Sequence, residues 1–512
     1  MRAIGPWMSS IVLFSLSLGP ALASAQAPSP PAGPDALDAP AVPPPDPAPR
    51  VADVESVLRG EGQGLSADEA ARLAVATSPN VARARAARRM ASAGAMRALV
   101  GFVPQLTLSA RYTRLSEIQN GGLATGPTID PDTIPDIVAP LQDPYARTLW
   151  EQSLRGQAEL ANFRFPVILD NFAFQASLSY PVSDAILSIL PAYESARSRE
   201  EAARLQIAVQ QQDVGLSARE TFYQYARARA ALAVAQTALA QAETRHTQVR
   251  AFVEAGVSAR VDELRLRAQV AAARVAVVRA EAGVRTARTA LTTMLHVEPG
   301  TEIAVGEDLL APLAPADGSL EELVRGALAR RDDLRAVRRI IRAASQAVDA
   351  AEGSRYPHLI VQATLDVANP NTRIFPLTQE FRETWDISAI LRWSPHDVLT
   401  GEVQAEEARA QRDSARQDLR MLQDAVRMQV TEAATTHEAA TTALDAARLG
   451  VEAADESYRV MTERHRAGAA TTSELIDASA EQVRAQLDLV NAAIDARIAN
   501  ARLRRALGGE TP

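Results

Sequence analysis

Four segments of the chain alternate apolar and polar residues with a period of two, which places successive side chains on opposite faces of a β-strand. They are residues 106–113, 172–180, 359–366 and 385–393. Each is about as long as the roughly 9 to 11 residues with which a tilted strand crosses a bilayer. The pattern predicts four strands, which belong either to a membrane barrel or to a half-buried sheet of a soluble domain.

Aromatic residues are concentrated around these segments. Residues 102–180 and 356–393 contain 14 of the 22 aromatic residues of the chain. Four of them lie at or near predicted strand ends: Tyr112, Tyr180, Trp385 and Trp393. Membrane barrels carry aromatic girdles at both interfaces, so the distribution favours a membrane barrel and predicts that these four side chains are interfacial.

Two long segments, residues 192–254 and 402–466, contain no proline and are dominated by Ala, Arg, Glu, Gln and Leu. They predict helices on the order of 95 Å long, because an α-helix rises about 1.5 Å per residue. Shorter helices are predicted at residues 80–101, 258–296, 333–354 and 471–507. Two short helices stacked end to end match the length of one long helix, which indicates a coiled-coil cylinder.

The chain contains an internal repeat. A helix-capping box, in which a serine hydroxyl and a glutamate three residues later bond each other's backbone N–H groups, occurs at Ser66 and again 253 residues later at Ser319. Pro104 corresponds to Pro357 at the same offset. The offset then falls to about 212, since only the first copy carries a long Pro- and Gly-rich insertion at residues 114–170. We predict two copies of one unit, residues 51–300 and 301–512.

The first 50 residues have the composition of a processed and unfolded segment. A basic start, a short apolar run and small residues before position 26 predict a signal peptide at residues 1–25, cleaved after Ala25, although a short membrane anchor shows a similar pattern. Ten of the 30 prolines lie between Pro28 and Pro49, so residues 26–50 are predicted to be an extended linker.

Composition excludes several classes of protein. The net charge of −8 argues against a nucleic-acid partner, and the absence of cysteine excludes disulfides, thiolate metal sites, a cysteine nucleophile and an acylated N-terminal cysteine. The six histidines follow no metal-ligand spacing, and no Gly-rich phosphate loop is found. We therefore expect neither an enzyme nor a cofactor.

Six short motifs, in a fixed order, resemble the TolC-type outer-membrane efflux proteins, also called outer membrane factors. They are two helix-to-strand junctions (FVPQL at 102–106 and RYPHL at 355–359), two strand exits (SYP at 179–181 and RWSP at 392–395) and two hairpin turns (EAGVS at 254–258 and RAGAAT at 466–471). The resemblance implies an α+β membrane protein. In it, three chains give four strands each to one 12-stranded transmembrane β-barrel, continued by a long α-helical coiled-coil barrel in the periplasm. Four strands alone cannot close a barrel, so oligomerisation is expected on physical grounds as well.

The same resemblance implies a homotrimer in outer-membrane lipid that binds a periplasmic adaptor protein and, through it, an inner-membrane transporter. The adaptor would dock at the hairpin turns, where Gly256, Ser258, Gly468 and Thr471 lie. Asp262, Glu474 and Asp477 would form carboxylate rings at a periplasmic aperture. Carboxylates in the first turn of a helix are also common because they favour the positive end of the helix dipole, so a purely structural role stays open.

The predicted function is a passive exit duct for small toxic compounds in the outer membrane. Protein export in a type I secretion system fits the same fold, and the sequence does not separate the two. A soluble periplasmic coiled-coil scaffold is the alternative from a different class, because long helices alone would serve it.

Overall fold

The computed structural model describes residues 54–60, 64–116, 130–162, 168–256, 258–298, 300–313 and 318–509. The predicted signal peptide at residues 1–25 and the predicted linker at residues 26–50 lie outside these ranges. The helices are α1 (Val54–Arg59), α2 (Ala67–Thr77), α3 (Pro79–Val100), α4 (Ile134–Val138), α5 (Pro144–Asn162), α6 (Val182–Asp184), α7 (Leu190–Glu254), α8 (Arg260–Leu295), α9 (Leu320–Arg330), α10 (Asp332–Gly353), α11 (Pro395–Arg466) and α12 (Thr472–Ala506). The strands are β1 (Gln105–Arg114), β2 (Asp170–Pro181), β3 (His358–Asn369) and β4 (Arg382–Arg392).

The four strands form one antiparallel sheet in the order β1-β2-β3-β4. The register places Leu178 opposite both Leu106 on β1 and Ala363 on β3, and Ala363 opposite Ile387 on β4. A slip of one residue would move every apolar side chain to the other face. The pairing therefore joins the four alternating patterns into two faces, one apolar and one polar in the central rows; toward the ends, Ile360 and Ile390 pair on the polar face and Glu383 lies on the apolar one.

Two helices are far longer than those of ordinary globular domains. Helix α7 has 65 residues and α11 has 72, which gives lengths of about 98 and 108 Å. Helices α3 and α8 pack along α7. Helices α10 and α12 pack against both long helices, α7 and α11. The prediction that two short helices flank each long one is confirmed. None of the helices within the described ranges is both long and apolar enough to cross a membrane.

The main core lies where α1, α2, α8 and α12 pack against the middle of α7. Phe222 on α7, Leu291 on α8 and Ile494 on α12 are fully buried there. Small residues such as Ala70 and Ala226 let the helices approach closely, so this core uses few aromatic side chains. A smaller core joins α9, α10 and α11 in the second repeat.

Both predicted capping boxes form. The Ser66 hydroxyl accepts a hydrogen bond from the Glu69 backbone N–H, and the Glu69 carboxylate accepts one from the Ser66 N–H. Ser319 and Glu322 repeat the arrangement at the start of α9. These paired bonds satisfy backbone donors that the first helical turn leaves free, so α2 and α9 begin in the same way in the two repeats.

The Pro- and Gly-rich insertion between β1 and β2 contains helices. Its residues 131–138 form a short 3-10 turn followed by α4, and residues 144–162 form α5. Proline is compatible with these helices, because Pro144 occupies the first helical position of α5, where its missing N–H costs nothing. The same effect places Pro395 inside the first turn of α11, which therefore begins before the predicted start at position 402.

Candidate functional site

The sheet separates apolar from polar side chains without exception in its central rows. One face carries Leu108, Ala110, Phe174, Ala176, Ala363, Leu365, Trp385, Ile387 and Ala389, and the other carries Thr107, Ser109, Gln175, Ser177, Gln362, Thr364, Asp366, Asp386 and Ser388. The helices of the chain leave the apolar face uncovered, since Leu108 is 73% exposed and Ile387 is 69% exposed. A soluble domain rarely exposes so large an apolar patch. Strands that separate lipid from a wet lumen alternate apolar and polar side chains in this way.

Three of the four predicted interfacial aromatics lie on the apolar face. Tyr112 lies toward the end that bears the β1–β2 insertion, Tyr180 lies toward the helices, and Trp385 lies in a central row opposite Leu365. Trp393 directly follows the last residue of β4, at the end toward the helices. Tyr112 packs against Phe172 with ring centroids 4.9 Å apart and donates a 2.8 Å hydrogen bond to Asp170. Such rings with one polar tip suit a membrane interface, and the interfacial role of these residues stays a prediction.

At the opposite end of the long helices, two tight turns join α7 to α8 and α11 to α12. Gly256 has a φ of 76° and Gly468 a φ of 73°, the left-handed region in which other residues are strained. A Cβ atom at either position would meet no heavy atom within 4 Å. The turns therefore require glycine for its backbone conformation, since no described residue packs closely against either position.

The residues that follow these glycines differ between the two turns. Thr471 caps α12: its backbone N–H donates a 2.7 Å hydrogen bond to the Glu474 carboxylate, and its hydroxyl accepts one from the Glu474 N–H. These bonds lower the pKa of Glu474. Helix α8 is preceded by Ala259, which offers no side-chain cap, while the Ser258 N–H donates a hydrogen bond to the Phe252 carbonyl. Ser258 and Thr471 are therefore not equivalent.

The three candidate aperture carboxylates occupy different environments. Asp262 lies in the first turn of α8, 3.6 Å from the Arg265 guanidinium, and Glu474 belongs to the capping box of α12. Asp477 lies one turn further along α12. No hydrogen bond or ion pair between described residues joins Asp262 to the other two. A helix-start role is evident for Glu474, and the aperture role of all three stays a prediction.

A contact between the long helices near these turns was not predicted. The Arg245 guanidinium on α7 lies over the ring of Tyr458 on α11, 5.2 Å from its centroid, and the residue is only 6% exposed. Desolvation by burial lowers the pKa of Arg245. The repeat offset of about 212 could have revealed the pair, because it places these two residues at corresponding heights of the two repeats.

Titratable side chains among the described residues form ion pairs and no metal site. Among the described residues, no group of three or more His, Asp or Glu side chains could hold a metal ion. The titratable side chains with clear partners are mostly ion pairs along helix surfaces, such as Arg459 with Glu456 and Glu463. The distinctive features of the molecule are thus two surfaces, the two-faced sheet and the pair of helical turns.

Comparison with known proteins agrees with this description. The outer membrane efflux protein family matches residues 70–296 and 323–509, one match in each repeat. No curated protein sequence matches the chain.

Solved structures show the same fold. The Campylobacter jejuni CmeC outer membrane channel has a TM-score of 0.68 at 13% identity, covering 88% of this chain and 86% of that one. The open state of the Neisseria gonorrhoeae MtrE outer membrane channel has a TM-score of 0.66 at 16% identity, covering 90% of this chain and 93% of that one. The outer membrane protein VceC from Vibrio cholerae has a TM-score of 0.66 at 16% identity, covering 87% of this chain and 97% of that one. With both repeats matched, the chain belongs to the outer membrane efflux protein family.

Proposed function

We propose that the chain forms the outer-membrane exit duct of a tripartite efflux system, a passive channel for small toxic compounds. The observation that carries the proposal is the four-stranded sheet whose central rows are apolar on one face and polar on the other, joined to helices about 100 Å long. Such a sheet suits a lipid-facing wall around a wet lumen, and the helices suit a tunnel that extends into the periplasm.

The duct requires more than one copy of the chain. Strands β1 and β4 are the edges of the sheet, and open edges in lipid would leave backbone N–H and C=O groups without partners. Three copies closing a ring of twelve strands would remove every edge. This closed trimer in the outer membrane is part of the proposal, as is coupling to an inner-membrane pump through a periplasmic adaptor at the hairpin turns.

Dye accumulation tests the efflux function. A strain that lacks this gene should accumulate a fluorescent efflux substrate such as ethidium, and the wild-type gene should restore efflux. If accumulation is unchanged but a protein disappears from the culture supernatant, the chain serves type I protein secretion. The uncovered apolar face argues against a soluble scaffold, which would be released from cells without detergent.

The candidate aperture gives a prediction about ion selectivity. Three-fold symmetry would turn Asp262, Glu474 and Asp477 into carboxylate rings, which concentrate cations and repel anions. Replacing them together by Asp262→Asn, Glu474→Gln and Asp477→Asn should weaken cation preference and divalent block in planar bilayers. Gln keeps the capping box, so α12 should stay intact. Unchanged selectivity would assign these residues to helix starts alone.

The lowered pKa of Glu474 sets the pH range over which this residue contributes to cation selectivity. Its charge is present above the lowered pKa and is lost only as pH falls through that value, below the ordinary glutamate range. The contribution of Glu474 to cation preference should therefore persist at mildly acidic pH in the same recordings.

A further inference from the structure

Two depressions rich in arginine lie end to end along one side of α7. The first, here called the groove, runs between residues 201–208 of α7 and residues 332–342 of α10. The second, here called the cavity, lies among α2, α7, the end of α9 and α12. The cavity begins at Gln212, one turn beyond the groove on α7, and at Arg330, two residues before the groove on the opposite wall. Groove and cavity therefore form one track along residues 201–223 of α7, about 33 Å long.

The groove and the cavity lie on the same face of α7. Glu201 and Leu205 in the groove precede Arg219 and Tyr223 in the cavity by 18 residues, which is about five turns of an α-helix. Arg219 forms a 2.8 Å ion pair with Asp68, so α2 lies over this face of α7. In the proposed duct, this added layer must lie outside the wall, because inside it would narrow the lumen. The track therefore opens to the periplasm.

The track has a large excess of positive charge. Five arginines and two carboxylates line the groove, and six arginines and two carboxylates line the cavity. Each of these carboxylates already pairs with an arginine of the track: Glu201 with Arg339, Asp332 with Arg335, Asp68 with Arg219, and Glu307 with Arg497. Four exposed guanidinium groups form neither an ion pair nor a hydrogen bond with any described residue: those of Arg204, Arg330, Arg342 and Arg504. These four groups are available to an anionic ligand.

The dimensions and lining of the track favour an acidic polypeptide segment. A track of about 33 Å matches about ten residues of extended chain, at roughly 3.3 Å per residue, and exceeds any single small anion. Leu205 and Leu216 give the lining apolar parts beside the arginines. Tyr223 is the one aromatic residue among the described lining residues, and it is 6% exposed. The track therefore offers no exposed ring on which a base or a sugar could stack.

Lipid headgroups lie too far away to occupy the track. Helix α7 begins at Leu190, and the track begins at Glu201, about 17 Å further from the sheet along the helix. The headgroup layer on one side of a bilayer is about 5 to 8 Å thick. The ligand must therefore come from the periplasm.

We propose that the track binds an extended acidic segment of a periplasmic partner protein. Carboxylates of the segment would bind the four unpaired guanidinium groups, since guanidinium and carboxylate form two parallel hydrogen bonds. Its apolar side chains would contact Leu205 and Leu216. The inference goes beyond the proposed duct and rests on it for which side of the wall faces the periplasm.

Fluorescence anisotropy with the full-length protein in detergent tests the track. The probe is a labelled ten-residue peptide that alternates glutamate with alanine. Replacing Arg204, Arg330, Arg342 and Arg504 together with glutamine should weaken its binding by roughly tenfold or more, because four charge-assisted hydrogen-bonding groups are lost. A peptide that alternates glutamine with alanine should bind the wild-type protein more weakly by a similar factor. Equal binding of the two peptides to the wild-type protein would overturn the inference.

Helix α8 supplies a matched control. Four of its arginines are exposed, have no partner among the described residues and line neither the groove nor the cavity: Arg260, Arg267, Arg279 and Arg285. Replacing these four with glutamine removes the same charge and should change the dissociation constant of the acidic peptide by less than about twofold. Circular dichroism checks that both variants keep their helices. An equal loss of binding in both variants would show attraction by overall charge and would contradict a specific track.

Thiol labelling gives a second readout that keeps every arginine. The chain contains no cysteine, so Ala208→Cys places a single thiol in the track and Ala276→Cys places one on the exposed side of α8. Each peptide carries a bromoacetyl group at its centre, which alkylates a nearby thiol. The acidic peptide should label the Ala208→Cys variant faster than the neutral peptide does, and the two peptides should label the Ala276→Cys variant at equal rates. No preference for the acidic peptide at position 208 would overturn the inference.

Purified peptidoglycan sacculi test the main alternative ligand, an acidic polymer of the cell wall. The wild-type protein and the variant that lacks the four track arginines should sediment with sacculi to the same extent. Retention of the wild-type protein alone, without binding of the acidic peptide, would assign the track to the cell wall and contradict the inference. A wild-type trimer that does not bind the peptide would contradict this inference alone, whereas a monomer that binds the peptide would contradict the proposed duct alone.

Discussion

Replacing Ile387 with arginine is expected to abolish trimer assembly in the outer membrane. Ile387 lies in the middle of β4 on the apolar face, opposite Ala363, and is 69% exposed. An arginine on the lipid face of a barrel costs about 2 to 4 kcal/mol near the bilayer midplane and about 0 to 1 near the interface. The three chains of the proposed ring would each bear this cost, so the loss is large. The measurement is the amount of trimer recovered from outer membranes of cells that express the variant and the wild type at equal levels.

Two control substitutions separate the effect of depth in the membrane from the effect of the sheet face. Leu391→Arg lies on the same face but next to the helix end of β4, so its effect should be small. Ser388→Arg lies beside Ile387 on the polar face and should be tolerated, because a wet lumen can hydrate the charge. Equal recovery of trimer for Ile387→Arg and Ser388→Arg would show that the apolar face does not contact lipid.

Substitution of the turn glycines is expected to abolish efflux without preventing assembly. Gly256→Asp and Gly468→Asp each place a side chain at a positive φ, which costs roughly 1 to 2 kcal/mol, and add a negative charge at the proposed adaptor surface. The turns lie at the far end of helices about 100 Å long, so the sheet should be unaffected. Trimer recovery reports assembly and dye accumulation reports efflux, so measuring both in the same strains distinguishes loss of efflux from loss of assembly.

Gly283→Asp is the matched control for this pair. Gly283 lies within α8, where a Cβ atom would likewise meet nothing within 4 Å, but its backbone is helical. The variant should assemble and restore efflux. Normal efflux by both turn variants would place adaptor contact elsewhere on the helices.

The fold was largely predictable because its signals are local. Alternation with a period of two defines all four strands, and capping boxes at Ser66 and Ser319 define where α2 and α9 begin. The insertion was not predictable in the same way. Proline both ends and starts helices, so composition alone could not show that Pro144 begins a helix of 19 residues.

The candidate site was predictable only in part. Glycine in a short turn between two helices indicates a positive φ, and Gly256 and Gly468 have one. Packing between distant segments has no such local signal, so the contact of Arg245 with Tyr458 was missed. The different roles of Ser258 and Thr471 were not predicted either, since only Thr471 caps the following helix. The division into units at residue 300 and the roles of the aperture and docking residues stay predictions.

The mass of the wild-type complex extracted from outer membranes tests the proposed duct most directly. Native mass spectrometry in detergent should give three chains per particle, because only a closed ring satisfies the open edges of β1 and β4 in lipid. The trimer should be found only after detergent extraction. A monodisperse monomer, or protein released from the cells without detergent, would contradict the proposed outer-membrane duct.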